Sequence, residues 1–202
     1  MVWSDKHKII FFHIPKTGGT SVEKALMLTS KKNGYGVNEK KKAVQHFDWK
    51  EYQSLLGLNK YNQYYKFAVS RNPYQKVISD YFWLKYVAKI NNDNFQKKTF
   101  DEYLNYCEHI VKNKLYNLTI YHDHFKPQHE FLYDSNNKLM INKILQFENF
   151  EYVKKFVKIR YKANIEHTNS NKNKQKLVLT TTQKNKIYKI FEKDFILLKY
   201  DR

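Results

Sequence analysis

The residues whose types and spacing bear most directly on chemistry lie in one run, Phe12-His13-Ile14-Pro15-Lys16-Thr17-Gly18-Gly19-Thr20-Ser21. Lys16 is a cation set beside two glycines and three hydroxyl side chains, Thr17, Thr20 and Ser21. Paired glycines let a backbone turn closely around a ligand, and Thr20 or Ser21 can cap a helix whose first N–H groups are free. The start of such a helix binds anions, and an ammonium beside it suits a phosphate or a sulfate. The run is not the G-x-x-x-x-G-K-[ST] loop, because Lys16 precedes both Gly18 and Gly19 instead of following the second glycine. That argues against an ordinary ATPase or GTPase. The competing reading is a strand-to-helix turn with no ligand, but a turn alone needs neither Lys16 nor the Thr-Gly-Gly-Thr-Ser run of small donors.

Other candidates lie further along. His46 sits in Ala43-Val44-Gln45-His46-Phe47-Asp48-Trp49, at the junction between a short extended segment and a helical pattern that Asp48 begins. An imidazole near its reference pKa of about 6.5 accepts a hydroxyl proton at neutral pH, which suits a general base. The alternative is an exposed polar flank to a helix capped by Asp48. Arg71 follows an apolar run, and Ser79 stands eight positions on, two turns along a helix opened by Pro73. His122, His124 and His129 are close enough together to raise a metal site, yet no Cys, second histidine pair or H-E-x-x-H spacing completes one, and no metal is expected. His13 ends a strand, where it either touches nucleotide or packs as a hydrogen-bonded histidine.

The elements that must position these groups follow from hydropathy and turn residues. Lys8 to Phe12 is a short apolar run of the buried parallel-strand kind, and Val22 to Leu28 continues as a helix. Tyr64 to Ser70 is a second strand, and the pattern from Val77 through Val87 traces a helix to about residue 90. Thr99 and Glu102 form a capping box for a helix reaching Lys112. Leu139 to Phe147 is a third strand, Glu148-Asn149 leads into a helix over Tyr152 to Ile159, and Thr181 or Thr182 caps the last helix. Lys31 to Gly36 reads as a flexible basic loop, Asn91 to Asn94 as a break, and the polar run His167 to Lys174 as disordered or lid-like.

With these elements in order, the Lys16 run resembles the 5′-phosphosulfate loop of the sulfotransferases, especially the carbohydrate O-sulfotransferases that use 3′-phosphoadenosine 5′-phosphosulfate (PAPS). Arg71 at a strand end with Ser79 eight positions on is similar to that family's 3′-phosphate motif. His46-Phe47-Asp48-Trp49 resembles the His-x-Asp-Trp segment of heparan sulfate 6-O-sulfotransferases, in which the histidine is the general base. The Pro127-Gln128 element and the strand, Glu148-Asn149 and helix arrangement also recur in that family, the former near the acceptor. The resemblance covers nearly the whole chain. It implies a P-loop-like α/β fold, PAPS as donor and no metal. It also implies a nucleotide site of Lys16, Thr17, Gly18, Gly19, Thr20, Ser21, Arg71 and Ser79, and catalysis by His46 and Lys16.

Composition sets the outer limits. The chain has 202 residues, 42% hydrophobic and 17% aromatic, enough for one α/β domain over residues 1–202 with a full core. Its single cysteine, Cys107, forms no internal disulfide. No apolar run approaches a membrane span and the first residues carry no signal-peptide core, so a soluble, cytoplasmic protein is expected. The net charge of +18 would attract a polyanionic glycan, although Lys spread along the whole chain also reads as solvated surface or codon drift. The expected partner is a carbohydrate or another hydroxyl acceptor, and nucleic acid is not expected. Two alternatives stand beside a sulfotransferase: an ATP-dependent phosphotransferase of the nucleotide-kinase type, and a non-catalytic polyanion-binding module on the same fold.

Overall fold

The computed structural model describes residues 3–28, 44–90, 94–119, 121–166 and 177–202. The Lys31–Gly36 loop, Asn91 to Asp93 and the His167–Lys174 run therefore lie outside the described residues.

A four-stranded sheet carries the architecture, in the order β1 (Trp3–Ser4), β2 (Ile9–Phe12), β3 (Tyr65–Ser70), β4 (Lys143–Gln146). β2 pairs with β3 and β3 with β4 in parallel, in registers that set Phe11 beside Phe67 and Ala68 beside Ile144. β1 is an antiparallel edge strand of two residues that the sequence reading did not find. All four residues of β2 are buried, as expected of a parallel strand covered on both faces, and the apolar run is continuous for that reason. The strand expected over Leu139 to Phe147 is only four residues long. Its first half makes other bonds: Leu139 bridges Tyr133, the Met140 N–H donates to the Leu132 carbonyl, and the Asn142 side chain accepts from the Lys66 N–H.

The connections are helical: α1 (Gly19–Ala25), α2 (Trp49–Leu56) and α3 (Leu58–Gln63) between β2 and β3, then α4 (Pro73–Ile90), α5 (Phe100–Lys112) and α6 (Gln128–Leu132) between β3 and β4. α7 (Phe150–Tyr161) and α8 (Thr181–Leu198) follow. Asp48 and Thr99 close capping boxes with Glu51 and Glu102 at the starts of α2 and α5. The cap of α8 is Thr180, paired with Gln183, so the expected Thr181 and Thr182 already belong to its first turn. Pro73 opens α4, where a missing N–H costs nothing.

Two apolar clusters hold these pieces. One packs Phe11, Phe12 and Phe67 of the sheet against Val153 and Val157 of α7. The other joins Val77 and Tyr81 of α4 to Leu104 of α5 and to Ile187 and Phe191 of α8. Each such side chain, fully buried, contributes about 1.5–3 kcal/mol. Cys107 lies in the second cluster, where burial pushes its thiol up to about 12. Among the described residues no helix is long and apolar enough to cross a membrane. β2, β3 and β4 end at Phe12, Ser70 and Gln146, so His13, Arg71 and Phe147 leave the same edge of the sheet, where open α/β folds hold their ligands.

Candidate active site

The loop from His13 to Gly18 is built from its own residues. The Thr17 hydroxyl donates to the Ile14 carbonyl at 2.9 Å, bracing the turn. Lys16 and Gly18 both take left-handed backbone conformations, φ 66° and 82°. For lysine that conformation costs on the order of 1–3 kcal/mol and persists only where the surroundings impose it. Gly18 is the N-cap of α1 and no side chain caps the helix, which corrects the expectation that Thr20 or Ser21 would do so. The left-handed turn at Gly18 brings the chain into the helix at Gly19, two residues before a Thr20 cap would, placing both hydroxyl residues in the first turn. Ser21 is buried and lines a cleft of about 530 Å3 whose other walls include Lys6, His7 and Tyr161. Gly19 is required sterically: a Cβ there would stand 2.1 Å from Cδ2 of the His13 ring.

Lys16 and Arg71 meet at this loop. Arg71 Nη1 donates to the Lys16 carbonyl at 3.0 Å, its guanidinium lies 4.5 Å from the Phe147 ring centre, and its buried Nε has no hydrogen-bond partner among the described residues. Burial lowers the Arg71 pKa from its usual value, against the pull of Glu148 and Asp80. Lys16 Nζ sits 5.2 Å from the centre of the Trp83 ring. Burial lowers its pKa to about 8, with Asp80 opposing and Arg71 and Lys76 adding repulsion. Two cations whose charge is under-compensated, one of them with an unpartnered guanidinium N–H, form a site chemically suited to an anion. Ser79 lies half-buried on α4, one turn from both Lys76 and Trp83 on the same helical face.

Beside this anion site runs a row of three imidazoles. His13, His46 and His124 follow one another at ring-centre distances of 5.0 and 5.4 Å, and each presents Nδ1 to a buried carboxylate. His13 meets Glu23 of α1 at 2.5 Å, His46 meets Asp123 at 2.8 Å, and His124 meets Asp80 of α4 at 2.8 Å. Asp80 also binds Lys76 Nζ at 2.6 Å, and against the cost of burial Lys76 and His124 hold its pKa below the usual carboxylate value. His124 stacks on Trp83 with ring centres 4.2 Å apart, so this stack joins the histidine row to Lys16.

His46 lies in a 3-10 turn, Val44–His46, and not in the extended segment expected. Two contacts from the neighbouring residues hold the turn in place: Lys126 Nζ binds Asp48 at 2.5 Å, and Trp49 Nε1 donates to the Tyr133 carbonyl at 2.9 Å. Nor is His46 exposed or near its reference pKa. It is buried, and burial lowers its pKa from 6.5 to about 4, against the opposing effect of Asp123. An ionised Asp123 can only accept, so Nδ1 carries the proton and Nε2 keeps its lone pair. The Gln45 amide donates to that Nε2 over a long 3.4 Å. A neutral imidazole oriented by a carboxylate is the arrangement of a general base.

The remaining histidines separate. His122 is tied to Tyr106 and Thr119, and His129 to Asp194 of α8. Among the described residues the set that could hold a metal is instead His46, Asp123 and His124, with one ligand atom from each within 4.8 Å of the others. Both imidazole Nδ1 atoms there already bond carboxylates, and His46 Nε2 is met only by the long contact from Gln45. Sequence reasoning missed Asp123, Asp80 and Trp83; the His122-Asp123-His124 triplet was visible, but the carboxylate between the histidines went unused.

A mostly parallel sheet, an anion loop at its strand ends and an arginine after the neighbouring strand define an α/β fold of the phosphate-loop kind. Residues 1–201 match the sulfotransferase family, and the chain belongs to that family. Its chemistry is sulfuryl transfer, generally from PAPS to a hydroxyl-bearing acceptor. No curated protein and no solved structure matches the chain.

Proposed function

We propose that this protein transfers the sulfuryl group of PAPS to a hydroxyl of a carbohydrate acceptor, with His46 as general base. The observation that carries the reading is the adjacency of two unlike sites. The His46–Asp123 pair, with a lone pair on Nε2, stands one stacked His124–Trp83 pair away from Lys16. His46 takes the acceptor hydroxyl proton on Nε2 as that oxygen bonds to sulfur, and Asp123 stabilises the imidazolium that results. The bond from sulfur to the 5′-phosphate oxygen breaks with its electron pair going to the phosphate, and the Lys16 ammonium lies beside the charge that develops. PAPS supplies the activated sulfuryl group. Gly18, Gly19, Thr20 and Ser21 would line its 5′ end with Lys16 and the brace of Thr17, and Arg71 and Ser79 would take its 3′-phosphate.

The nucleotide-kinase reading lacks an acid free to hold magnesium at a described strand end, since Glu148 after β4 accepts from the Asn72 N–H and from Tyr200. Calorimetry with adenosine 3′,5′-bisphosphate (PAP), the desulfated product, against ATP with magnesium separates the readings. PAP should bind without added metal, and at about 100 times its dissociation constant should add roughly 2.7 kcal/mol of stability. Tight ATP–magnesium binding with no thermal shift in millimolar PAP would reverse the assignment. Sulfate transfer from labelled PAPS to a panel of glycans and small hydroxyl compounds then identifies the acceptor.

A further inference from the structure

The segment around Arg71 is held at three consecutive residues, through the side chain of Ser70 and the backbone of Arg71 and Asn72. Ser70 Oγ bonds the Tyr200 hydroxyl at 2.9 Å, and the Asn72 N–H donates to Glu148 Oε1 at 2.8 Å. Between them both backbone groups of Arg71 are taken by one side chain: its N–H donates to Gln128 Oε1 at 2.9 Å, and its carbonyl accepts from Gln128 Nε2 at 2.7 Å. Gln128 is 0% exposed. It is itself fixed from behind, because its N–H donates to Asp194 Oδ2 at 2.8 Å, while Asp194 Oδ1 takes the N–H and Nδ1 of His129. Asp194 lies on α8, 1% exposed. A continuous chain of hydrogen bonds thus runs from α8 through Gln128 and Arg71 to the Lys16 carbonyl.

A side chain that bonds the N–H and the carbonyl of the same residue fixes both peptide planes flanking that Cα, and with them the direction in which the side chain leaves. An arginine fork on a phosphate depends on that direction, because its donors are planar and rigid. We propose that Gln128, held by Asp194, is a positioning residue for phosphate recognition by Arg71, so that α8 sets the geometry of the 3′-phosphate end of the donor site. This rests on the reading of Arg71 as the 3′-phosphate ligand. The Pro127-Gln128 element, which resemblance assigns to the neighbourhood of the acceptor, acts in this account on the nucleotide.

The test is calorimetry with PAP and with adenosine 5′-phosphosulfate, which lacks the 3′-phosphate, on wild type, Gln128→Met, Arg71→Ala and the double variant. Methionine fills the volume of glutamine without either amide bond. Gln128→Met should weaken PAP about tenfold and adenosine 5′-phosphosulfate less than about threefold, and it should have no further effect on PAP once Arg71 is alanine, because coupled residues are non-additive. Equal losses for both ligands, or additive losses in the double variant, would show that Gln128 only supports the fold, and the proposal falls. An Arg71→Ala variant that loses both ligands equally would remove the reading of Arg71 and this proposal with it. A selective Arg71→Ala beside an unselective Gln128→Met overturns the proposal alone. Should Gln128→Met not fold, Asp194→Asn replaces it in the same cycle, with about a threefold selective loss of PAP expected and no selectivity as the refuting result.

Discussion

In the proposed donor site, Lys16 and Arg71 are half-buried cations whose charge partial burial disfavours, and Arg71 Nε has no hydrogen-bond partner among the described residues. In the proposed acceptor site, each of His13, His46 and His124 already has a carboxylate on Nδ1. On that proposal a ligand completes the first region, whereas the imidazoles of the second are already oriented by their carboxylates. Substitutions should therefore separate the two. Loss of a cation costs affinity and little folding stability, whereas loss in the histidine row costs rate or stability and little nucleotide affinity.

The largest effect belongs to the histidine row. His46→Ala should lower turnover about 10² to 10⁴-fold, the usual contribution of a positioned base, while PAP affinity by calorimetry stays near wild type. A parallel fall in PAP affinity would erase the distinction between the regions. Next comes Lys16→Met, which should weaken PAP roughly 10- to 100-fold, as expected for a charge-assisted contact of about 1.5–3 kcal/mol, and lower the rate as well. The melting temperature without ligand should not fall, because the substitution removes a half-buried charge that partial burial disfavours and keeps the apolar stem. A clear drop would mean that Lys16 is already compensated in the free protein. The smallest effect sits at the seam. Gly19→Ala drives a methyl group into the His13 ring and should cost about 1–3 kcal/mol of stability as the ring or α1 shifts, read by denaturant titration; a neutral result would show that His13 moves aside freely.

The loop and Arg71 of the proposed donor side were legible because they are nearly continuous in sequence: loop, glycines and lysine lie within Lys16 to Ser21, and Arg71 directly follows the strand Tyr65–Ser70. The cap at Asp48 and the capping box at Thr99 were equally local. The histidine row was not, since its partners come from distant segments: Asp123 stands 77 positions from His46, and His124 44 positions from Asp80. Burial of His46 was missed for the same reason. Its flanks Gln45 and Asp48 look like surface, and only packing against His13 and His124 makes the position dry. The edge strand β1 has two residues, too few for alternation to register.

The central claim is that a neutral, buried His46 and a charged Lys16 act in one site, and the pH dependence of kcat/KM tests it most directly. Free-enzyme ionisations govern that quantity. Protonation of His46, lowered to about 4, should abolish activity on the acid side, and deprotonation of Lys16, lowered to about 8, should abolish it on the alkaline side. Because the folded His46 value lies below its unfolded 6.5, stability also declines as pH falls from about 6.5 toward 4, so folding is followed in the same buffers. The account predicts a bell with a plateau between about 5 and 7, an acid limb that disappears from the residual activity of His46→Ala, and an alkaline limb that disappears in Lys16→Met. An acid limb near 6.5, or one that survives in His46→Ala, would contradict it.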